Sequence, residues 1–186
     1  PQSAIVITGG MMEQITISNC KFESTCINTA NDGGGAIFCT SYFRKESVNY
    51  STLVETLTVS NCTFQGNTAT HNGGAVCLFG SFDLVQINNN TFTKTSVTGS
   101  DGRGGALALI GFYNQVNLSG NTYTDCTASQ TGGGAIGICA TVGELTVSDS
   151  FHNCSARNGG AMYITSDYLQ GSSFPHLQQK TNFYNR

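Results

Sequence analysis

The side chains that most often carry chemistry are few in this sequence and lie far apart. The eleven acidic residues include no adjacent pair, whereas hydrolysis of glycosidic bonds and calcium binding both require clustered carboxylates. The three histidines, His71, His152 and His176, are widely separated, and no Cys-x-x-Cys occurs, so the ligand spacing of a zinc site is missing. The sequence therefore predicts a protein that is not an enzyme and holds no metal ion or cofactor.

The charge pattern argues against two classes of partner. The formal net charge is −3 and only 10% of residues are charged, with the basic residues scattered along the chain. Binding to nucleic acid calls for a basic patch or stripe, and a membrane-spanning helix calls for about 20 mainly apolar residues. We therefore expect no nucleic-acid partner and no insertion of this segment into a membrane.

One short motif, Gly-Gly-Ala followed by an apolar residue, occurs five times. Its first glycines are separated by 39, 31, 29 and 26 residues. The copies are Gly34-Gly35-Ala36, Gly73-Gly74-Ala75, Gly104-Gly105-Ala106, Gly133-Gly134-Ala135 and Gly159-Gly160-Ala161. No Lys-Ser/Thr follows them, as a phosphate-binding loop would require. Recurrence at intervals of tens of residues is typical of a repeat protein, and we interpret the motif as structural.

The residues between the copies align in columns when the copies are superposed. A strand of alternating apolar and polar residues, such as Leu57-Thr58-Val59-Ser60, precedes each copy. A turn residue follows each such strand: Asn19, Asn61, Asn89, Gly120 and Asp149. The next column is small or polar: Cys20, Cys62, Asn90, Asn121 and Ser150. An aromatic column comes after it: Phe22, Phe64, Phe92, Tyr123 and Phe151, the last arriving one residue early.

These columns predict an all-β fold, a right-handed single-stranded parallel β-helix of about five to six coils with three short strands each. A unit of this kind cannot bury its own apolar face and does so by stacking on its neighbour. The right-handed sense follows from the preference of parallel crossovers. We expect residues 1–186 to form a single segment of a longer repeat chain. The alternative is a β-sandwich or barrel, which explains the alternation but not the five aligned columns.

The pairing of Gly-Gly-Ala-(Ile/Leu/Val) with an upstream Phe-x-x-Asn, complete here at Phe64 to Asn67, resembles the repeats of the chlamydial polymorphic membrane proteins and similar surface proteins of some protists. The resemblance covers residues from about 15 to 164. It implies a right-handed β-helical passenger that is displayed on the cell surface and used in adhesion.

Two cysteine pairs share a column in consecutive repeats, Cys20 with Cys62 and Cys126 with Cys154. Stacked residues would have Cα atoms about 5 Å apart, within the range of disulfides. One interpretation is a set of disulfides in an extracellular protein; the other is a column of small buried thiols that behave as modest hydrophobes.

Five Asn-x-Ser/Thr sequons are candidate glycosylation sites: Asn49, Asn61, Asn89, Asn117 and Asn153. This number is no more than composition alone produces. Asn49 is the best candidate because it lies in the longest excursion between repeats, residues 40–52. Excursions of this kind are where the binding function of a solenoid usually lies.

We therefore expect a non-catalytic extracellular scaffold, a cell-surface adhesin or a fibre-building repeat segment. Its expected partners are further coils or copies of itself stacked end to end, and a host or matrix protein or glycan. The alternative is a β-helix that binds or cleaves carbohydrate in a groove along one face.

Overall fold

The computed structural model describes residues 3–9, 12–27, 33–41, 54–166 and 180–183. All regular structure in these residues is β-strand. The strands of the first half are β1 (Ile5–Thr8), β2 (Met12–Ser18), β3 (Lys21–Glu23), β4 (Cys26–Ile27), β5 (Ile37–Thr40), β6 (Val54–Ser60), β7 (Thr63–Gln65), β8 (Thr68–Ala69) and β9 (Val76–Asn88). Those of the second half are β10 (Thr91–Thr93), β11 (Ser96–Val97), β12 (Leu107–Thr124), β13 (Thr127–Gly132), β14 (Ile136–His152), β15 (Ser155–Asn158), β16 (Met162–Thr165) and β17 (Lys180–Phe183).

All strand pairs given by the structure are parallel and join equivalent positions of consecutive turns. The column Leu57, Val85, Val116 and Leu145 is paired residue by residue. The strands form one sheet of twelve and one of five, the second in the order β15-β13-β11-β8-β4. The chain is thus a parallel β-solenoid, as the columns predicted.

The solenoid has about four turns, fewer than the five to six coils expected. Five copies of a motif enclose only four complete intervals, so counting copies overstates the number of turns. Of the residues expected to begin a further coil, 174–177 lie outside the described residues, whereas Phe183 lies in β17 and pairs with Val147.

The strands are also longer than the sequence predicted. In β9, β12 and β14 the strand that follows Gly-Gly-Ala continues without a break into the first strand of the next turn. β9 and β12 pass a corner at Gly80 and Gly111, which have φ of 128° and 124°, whereas β14 carries Ala140 at the equivalent position. A Cβ atom on Gly111 would overlap the carbonyl oxygen of Gly80 in the turn below, so position 111 requires glycine.

The core lies inside the solenoid and consists of the inward-facing columns. Leu57, Val85 and Val116 are completely buried, and the alternate residues of the same strands face outward, as the period of a strand requires. A second, smaller apolar cluster lies on the outside of the Gly-Gly-Ala strands and contains Cys77, Ala108, Ile110 and Cys139. The backbone that leads into the motif of the preceding turn lies against this cluster, since a Cβ on Gly33 would meet that of Cys77.

Candidate functional site

The Gly-Gly-Ala copies lie at a corner where successive turns approach closely. The first glycine of each copy is left-handed, with φ between 57° and 74°. In the first four copies, a Cβ atom on the second glycine would overlap the carbonyl oxygen of the equivalent glycine in the next turn, as Gly105 would with Gly134. Ala106 and Ala135 are completely buried beside them. The motif therefore shapes a corner of the fold and offers no side chain for chemistry.

The aromatic column forms a continuous stack through the interior. The rings of Phe22, Phe64, Phe92, Tyr123 and Phe151 have centroid separations of 4.7–5.1 Å and interplanar angles of 4–9°. A second, two-ring stack joins Phe82 and Tyr113, with centroids 5.3 Å apart. Ring faces in contact along the axis fix the register of one turn on the next.

A ladder of polar side chains runs beside the aromatic stack, at the turn after the first strand. Asn90 accepts a hydrogen bond from the backbone N–H of Cys62 at 2.8 Å and donates to the carbonyl of Val59 at 2.9 Å. Asn121 repeats this arrangement one turn later, accepting from the N–H of Asn90 at 2.9 Å and donating to the carbonyl of Ile87 at 2.7 Å. Each amide thereby satisfies backbone groups that would otherwise be buried without partners.

Asp149 ends this ladder, where the aligned columns had placed Ser150. Its Oδ1 accepts hydrogen bonds from the backbone N–H of Asn121 at 2.9 Å and from the side-chain amide at 3.0 Å. The prediction for Ser150 was wrong because the register shifts between Ser119 and Thr122, so that Ser150 pairs with Thr122. The last turn is one residue shorter than the alignment assumed, and a carboxylate lies in the interior.

Burial controls the ionisation of this carboxyl group. Only 8% of Asp149 is exposed, and desolvation raises the pKa of its carboxyl group from 3.8 to about 6, against the opposing effect of the hydrogen bonds from Asn121. Tyr123 is completely buried in the adjacent stack. Burial, together with the nearby charge of Asp149, raises the pKa of the Tyr123 hydroxyl well above its ordinary value.

The two cysteine pairs are stacked as predicted, but neither forms a disulfide. None of the eight cysteines, all of which lie in described residues, is disulfide-bonded. The prediction considered only the Cα separation. Side chains stacked in register keep the spacing of the turns, about 4.8 Å, between their Cβ atoms, whereas a disulfide needs about 3.5–4.5 Å. The Cys20–Cys62 and Cys126–Cys154 disulfides are therefore corrected to stacked thiols.

The two thiols of the second pair differ in their acidity. A hydrogen bond from Cys126 lowers the pKa of the Cys154 thiol to about 7. The same contact, together with burial, raises the pKa of the Cys126 thiol far above its ordinary value. Burial alone raises the pKa of Cys39 to about 12, and in Cys62 burial is the largest cause of a raised pKa.

The sequons lie in different settings. Asn61 and Asn89 are exposed at the turn, with φ of 53° and 56°. Asn117 is half-buried on the outer face of β12, and Asn153 is exposed and donates to Asp125 at 2.6 Å. Asn49 lies outside the described residues.

The outer faces of the turns carry mostly uncharged polar groups. Thr16, Thr58, Gln86, Asn117 and Thr146 form one outward column. The salt bridge in the described part of the chain joins Lys21 and Glu23 at 2.7 Å, both largely exposed. In the same residues no group of three or more His, Cys, Asp or Glu side chains has the geometry of a metal site.

Most of the 40–52 excursion also lies outside the described residues, except for Thr40 and Ser41, which are buried.

The described part of the chain contains no helix of the length and apolarity that crossing a membrane requires. No family model, no curated protein and no solved structure significantly matches this chain.

Proposed function

We propose that this chain is a non-catalytic extracellular repeat scaffold, a cell-surface adhesin or fibre-building segment that associates through the ends of its solenoid. The observation that supports the proposal is the state of the two terminal turns. Within the described residues, β1, β2, β3 and β4 at one end each pair with a strand on one side only, and so do β15 and β16 at the other end. Unpaired strand edges are templates for further strands, and solenoids usually carry polar caps that prevent such pairing.

The core columns are also incompletely covered at these ends. Ile164 continues the inward column of Ile138 and is 43% exposed. Phe151 and Met162 pack against the core and remain only partly buried. At the opposite end Ile5 and Ile15 are partly buried in the same way. A further turn that covered these residues would bury their apolar surface, and burial of apolar surface stabilises by about 25 cal/mol per Å².

A second copy has side chains that suit this end. In this chain β17 pairs with Glu144–Val147 of β14. If β2 of a second copy took the place of β17 and paired in register with β14, Phe22 of that copy would lie over Phe151. The same register puts the carboxylate of Glu23 over the exposed His152. Aromatic stacking would continue along the axis, and the imidazole of His152 would lie over a carboxylate.

Self-association can be tested with the chain as it stands. We expect light scattering to show concentration-dependent growth and electron microscopy to show linear assemblies. Ile164→Lys should reduce this growth because it places a charge in the uncovered column. Thr91→Lys is the matched control, since Thr91 lies on a side face in the column that Lys21 occupies naturally. A chain that stays monomeric at all concentrations would contradict end-to-end association.

Adhesion forms a separate part of the proposal, with a host or matrix protein or glycan as the ligand. We assign the contact to the excursion at 40–52, which interrupts the regular repeat. Cells or matrix coated on a surface should bind the chain, and deletion of residues 43–52 should abolish binding without changing the β-sheet circular dichroism. Unchanged binding by the deletion variant would show the assignment to be wrong.

Carbohydrate binding is a second candidate, favoured by the outward polar column on the first strand of each turn. Thr58 and Gln86 interact at 3.3 Å there, and the column presents hydroxyl and amide groups at the spacing of the turns. A glycan array would test binding, and incubation with polygalacturonate would reveal new reducing or unsaturated ends if the chain cleaves it. Cleavage lost on substitution of one carboxylate would overturn the non-catalytic assignment.

A further inference from the structure

We propose that Cys126 and Cys154 form a two-coordinate binding site for a soft monovalent cation, Cu(I) or Ag(I). The two residues occupy equivalent places in consecutive turns, because Thr124 pairs with His152 and Thr127 with Ser155. Their thiols therefore lie one above the other along the axis of the solenoid, in the same column of consecutive turns.

This spacing suits a bridging cation better than a direct sulfur–sulfur bond. In-register stacking separates equivalent atoms by about 4.8 Å, beyond the Cβ separation of most disulfides. Two metal–sulfur bonds of about 2.3 Å each, the length seen in zinc thiolates, span about 4.6 Å when they lie in line. The length of a linear sulfur–metal–sulfur unit thus matches the spacing between equivalent positions of consecutive turns.

Cys126 has a hydroxyl donor directed at its sulfur, although burial and the contact with Cys154 raise the pKa of this thiol and keep it protonated without a cation. Its side chain is completely buried, as is Thr95 one turn below, whose Oγ1 donates to the Cys126 Sγ at 3.2 Å. A donor of this kind orients the sulfur and stabilises its negative charge, as outer groups do around other metal ligands. Without a cation, the Cys126 sulfur contacts two backbone carbonyl oxygens, that of Phe92 at 3.7 Å and that of Thr124 at 3.6 Å.

Cys154 provides the entrance to the site. It lies in the last turn, is half-buried, and its Sγ lies 3.6 Å from the carbonyl of Tyr123 and 3.5 Å from that of His152. The charge of Asp125 lies near enough to act on this thiol, which favours the approach of a cation. A cation can therefore reach Cys154 from solvent and complete its coordination at the buried Cys126.

The ligand set determines the class of metal. Among the described residues no third His, Cys, Asp or Glu joins the pair, so the four ligands that zinc takes in structural sites are not available. Thiolates select soft ions such as Cu(I). Binding replaces two S–H bonds by two metal–sulfur bonds, releases two protons and changes no oxidation state when the metal is supplied as Cu(I) or Ag(I).

The Cys20–Cys62 pair has the same register but not the same surroundings. The backbone N–H of Cys20 donates to the Cys62 Sγ at 3.4 Å and so occupies the side of the sulfur that faces its partner. Beside Cys62, the neighbouring turn presents the side-chain oxygen of Asn90, which accepts a hydrogen bond from the backbone N–H of Cys62. Beside Cys126, the neighbouring turn presents the hydroxyl of Thr95, which donates to the sulfur. This pair therefore serves as the internal control.

The experiment is a titration of fully reduced chain with Cu(I) under nitrogen, in competition with the chromogenic chelator bicinchoninate. Thiol titration first verifies eight reduced cysteines. We expect the chain to withdraw one equivalent of Cu(I) at this site, with two sulfur neighbours in X-ray absorption. Cys126→Ser and Cys154→Ser should each abolish this equivalent, whereas Cys20→Ser should retain it. Circular dichroism and thermal unfolding identify variants that have lost the fold.

Thr95→Val gives a second test in which both thiols remain. We expect it to weaken Cu(I) binding by about 10- to 100-fold, the effect typical of outer-shell partners, without changing the number of sulfur neighbours. Retention of the equivalent in folded Cys154→Ser, or a metal with three or four sulfur neighbours in the wild-type chain, would overturn the proposal. So would a folded wild-type chain that withdraws no Cu(I) from the chelator.

Discussion

The carboxylate of Asp149 accepts hydrogen bonds from both the backbone N–H and the side-chain amide of Asn121, one turn away. The ladder of buried amides therefore ends on an acid, at a place where the two preceding turns carry Asn90 and Asn121. An amide would donate to the turn below, as Asn121 does to the carbonyl of Ile87, and an ionised carboxylate cannot. Asp149 thus makes the stability of the last turn dependent on pH.

We predict that the chain becomes less stable as the pH rises from about 4 to about 6. The folded carboxyl has a pKa of about 6 and its ordinary value is 3.8, so in this window the folded state binds more protons than the unfolded state. Stability falls wherever that holds. The loss levels off above the folded pKa at on the order of 3 kcal/mol. Urea unfolding at a series of pH values measures it.

Asp149→Asn should remove this dependence and stabilise the chain at pH 7. The new amide would accept from Asn121 and is placed to donate to the carbonyl of Leu118, extending the ladder. Asp101→Asn is the control, because Asp101 is exposed in a loop and its substitution removes the same charge. If the pH profiles of wild type and Asp149→Asn coincide, burial of this carboxyl does not control stability.

Asp149 also shows where prediction from the sequence succeeds and where it ends. The columns predicted a parallel β-solenoid because a repeated apolar pattern can be buried only by stacking. They assigned Asp149 to the exposed turn, since aspartate is common at turns. The sequence shows that the last turn is one residue short, because Phe151 comes one residue early in its column. It does not show at which position between the two columns the residue is missing.

The cysteines show a different limit. Column alignment located both pairs correctly, since Ser18 pairs with Ser60 and Thr124 with His152. Alignment carries no information about side-chain direction. In a parallel in-register stack, equivalent Cα–Cβ bonds point the same way and do not converge. Two cysteines in the same column therefore lie close together without forming a disulfide.

We predict that Asn90→Ala destabilises the chain by about 2–4 kcal/mol. The variant would leave the N–H of Cys62 and the carbonyl of Val59 without their partners in the interior, and each buried polar group left unsatisfied costs about 1–3 kcal/mol. Asn114→Ala is the matched control, because its amide donates to Asp83 on the exposed surface. Equal midpoints of chemical unfolding for the two variants would show that the ladder is not a stabilising element.

The second glycine of the repeated motif should tolerate no side chain in the first four copies. In Gly105→Ala the new Cβ would overlap the carbonyl oxygens of Gly134 and Thr127, so the turns would have to separate, and we expect a loss of more than about 4 kcal/mol or failure to fold. Gly9→Ala tests backbone strain alone, because Gly9 has a φ of 72° and nothing within 4 Å of an added Cβ. It should cost about 1–2 kcal/mol. Comparable costs in the two variants would contradict a requirement for close approach.

Tyr113 offers a test of one buried hydroxyl group. The hydroxyl donates to the carbonyl of Leu78 at 2.7 Å and accepts from the N–H of Ile110 at 3.0 Å, which holds the corner at Gly111 against the turn below. Phe82 occupies the equivalent position in that turn, so a phenylalanine ring fits this column. We predict that Tyr113→Phe costs about 1–3 kcal/mol through the unsatisfied backbone groups.

Tyr163→Phe is the control for this prediction, because Tyr163 lies half-buried on the outside of β16 and should change stability by less than about 0.5 kcal/mol. Thermal unfolding of both variants, with amide hydrogen exchange at Ile110, separates the two roles of Tyr113. Loss of stability with unchanged exchange at Ile110 would mean that the hydroxyl acts elsewhere than at the corner. Faster exchange there, together with the loss of stability, would assign the corner to this one oxygen.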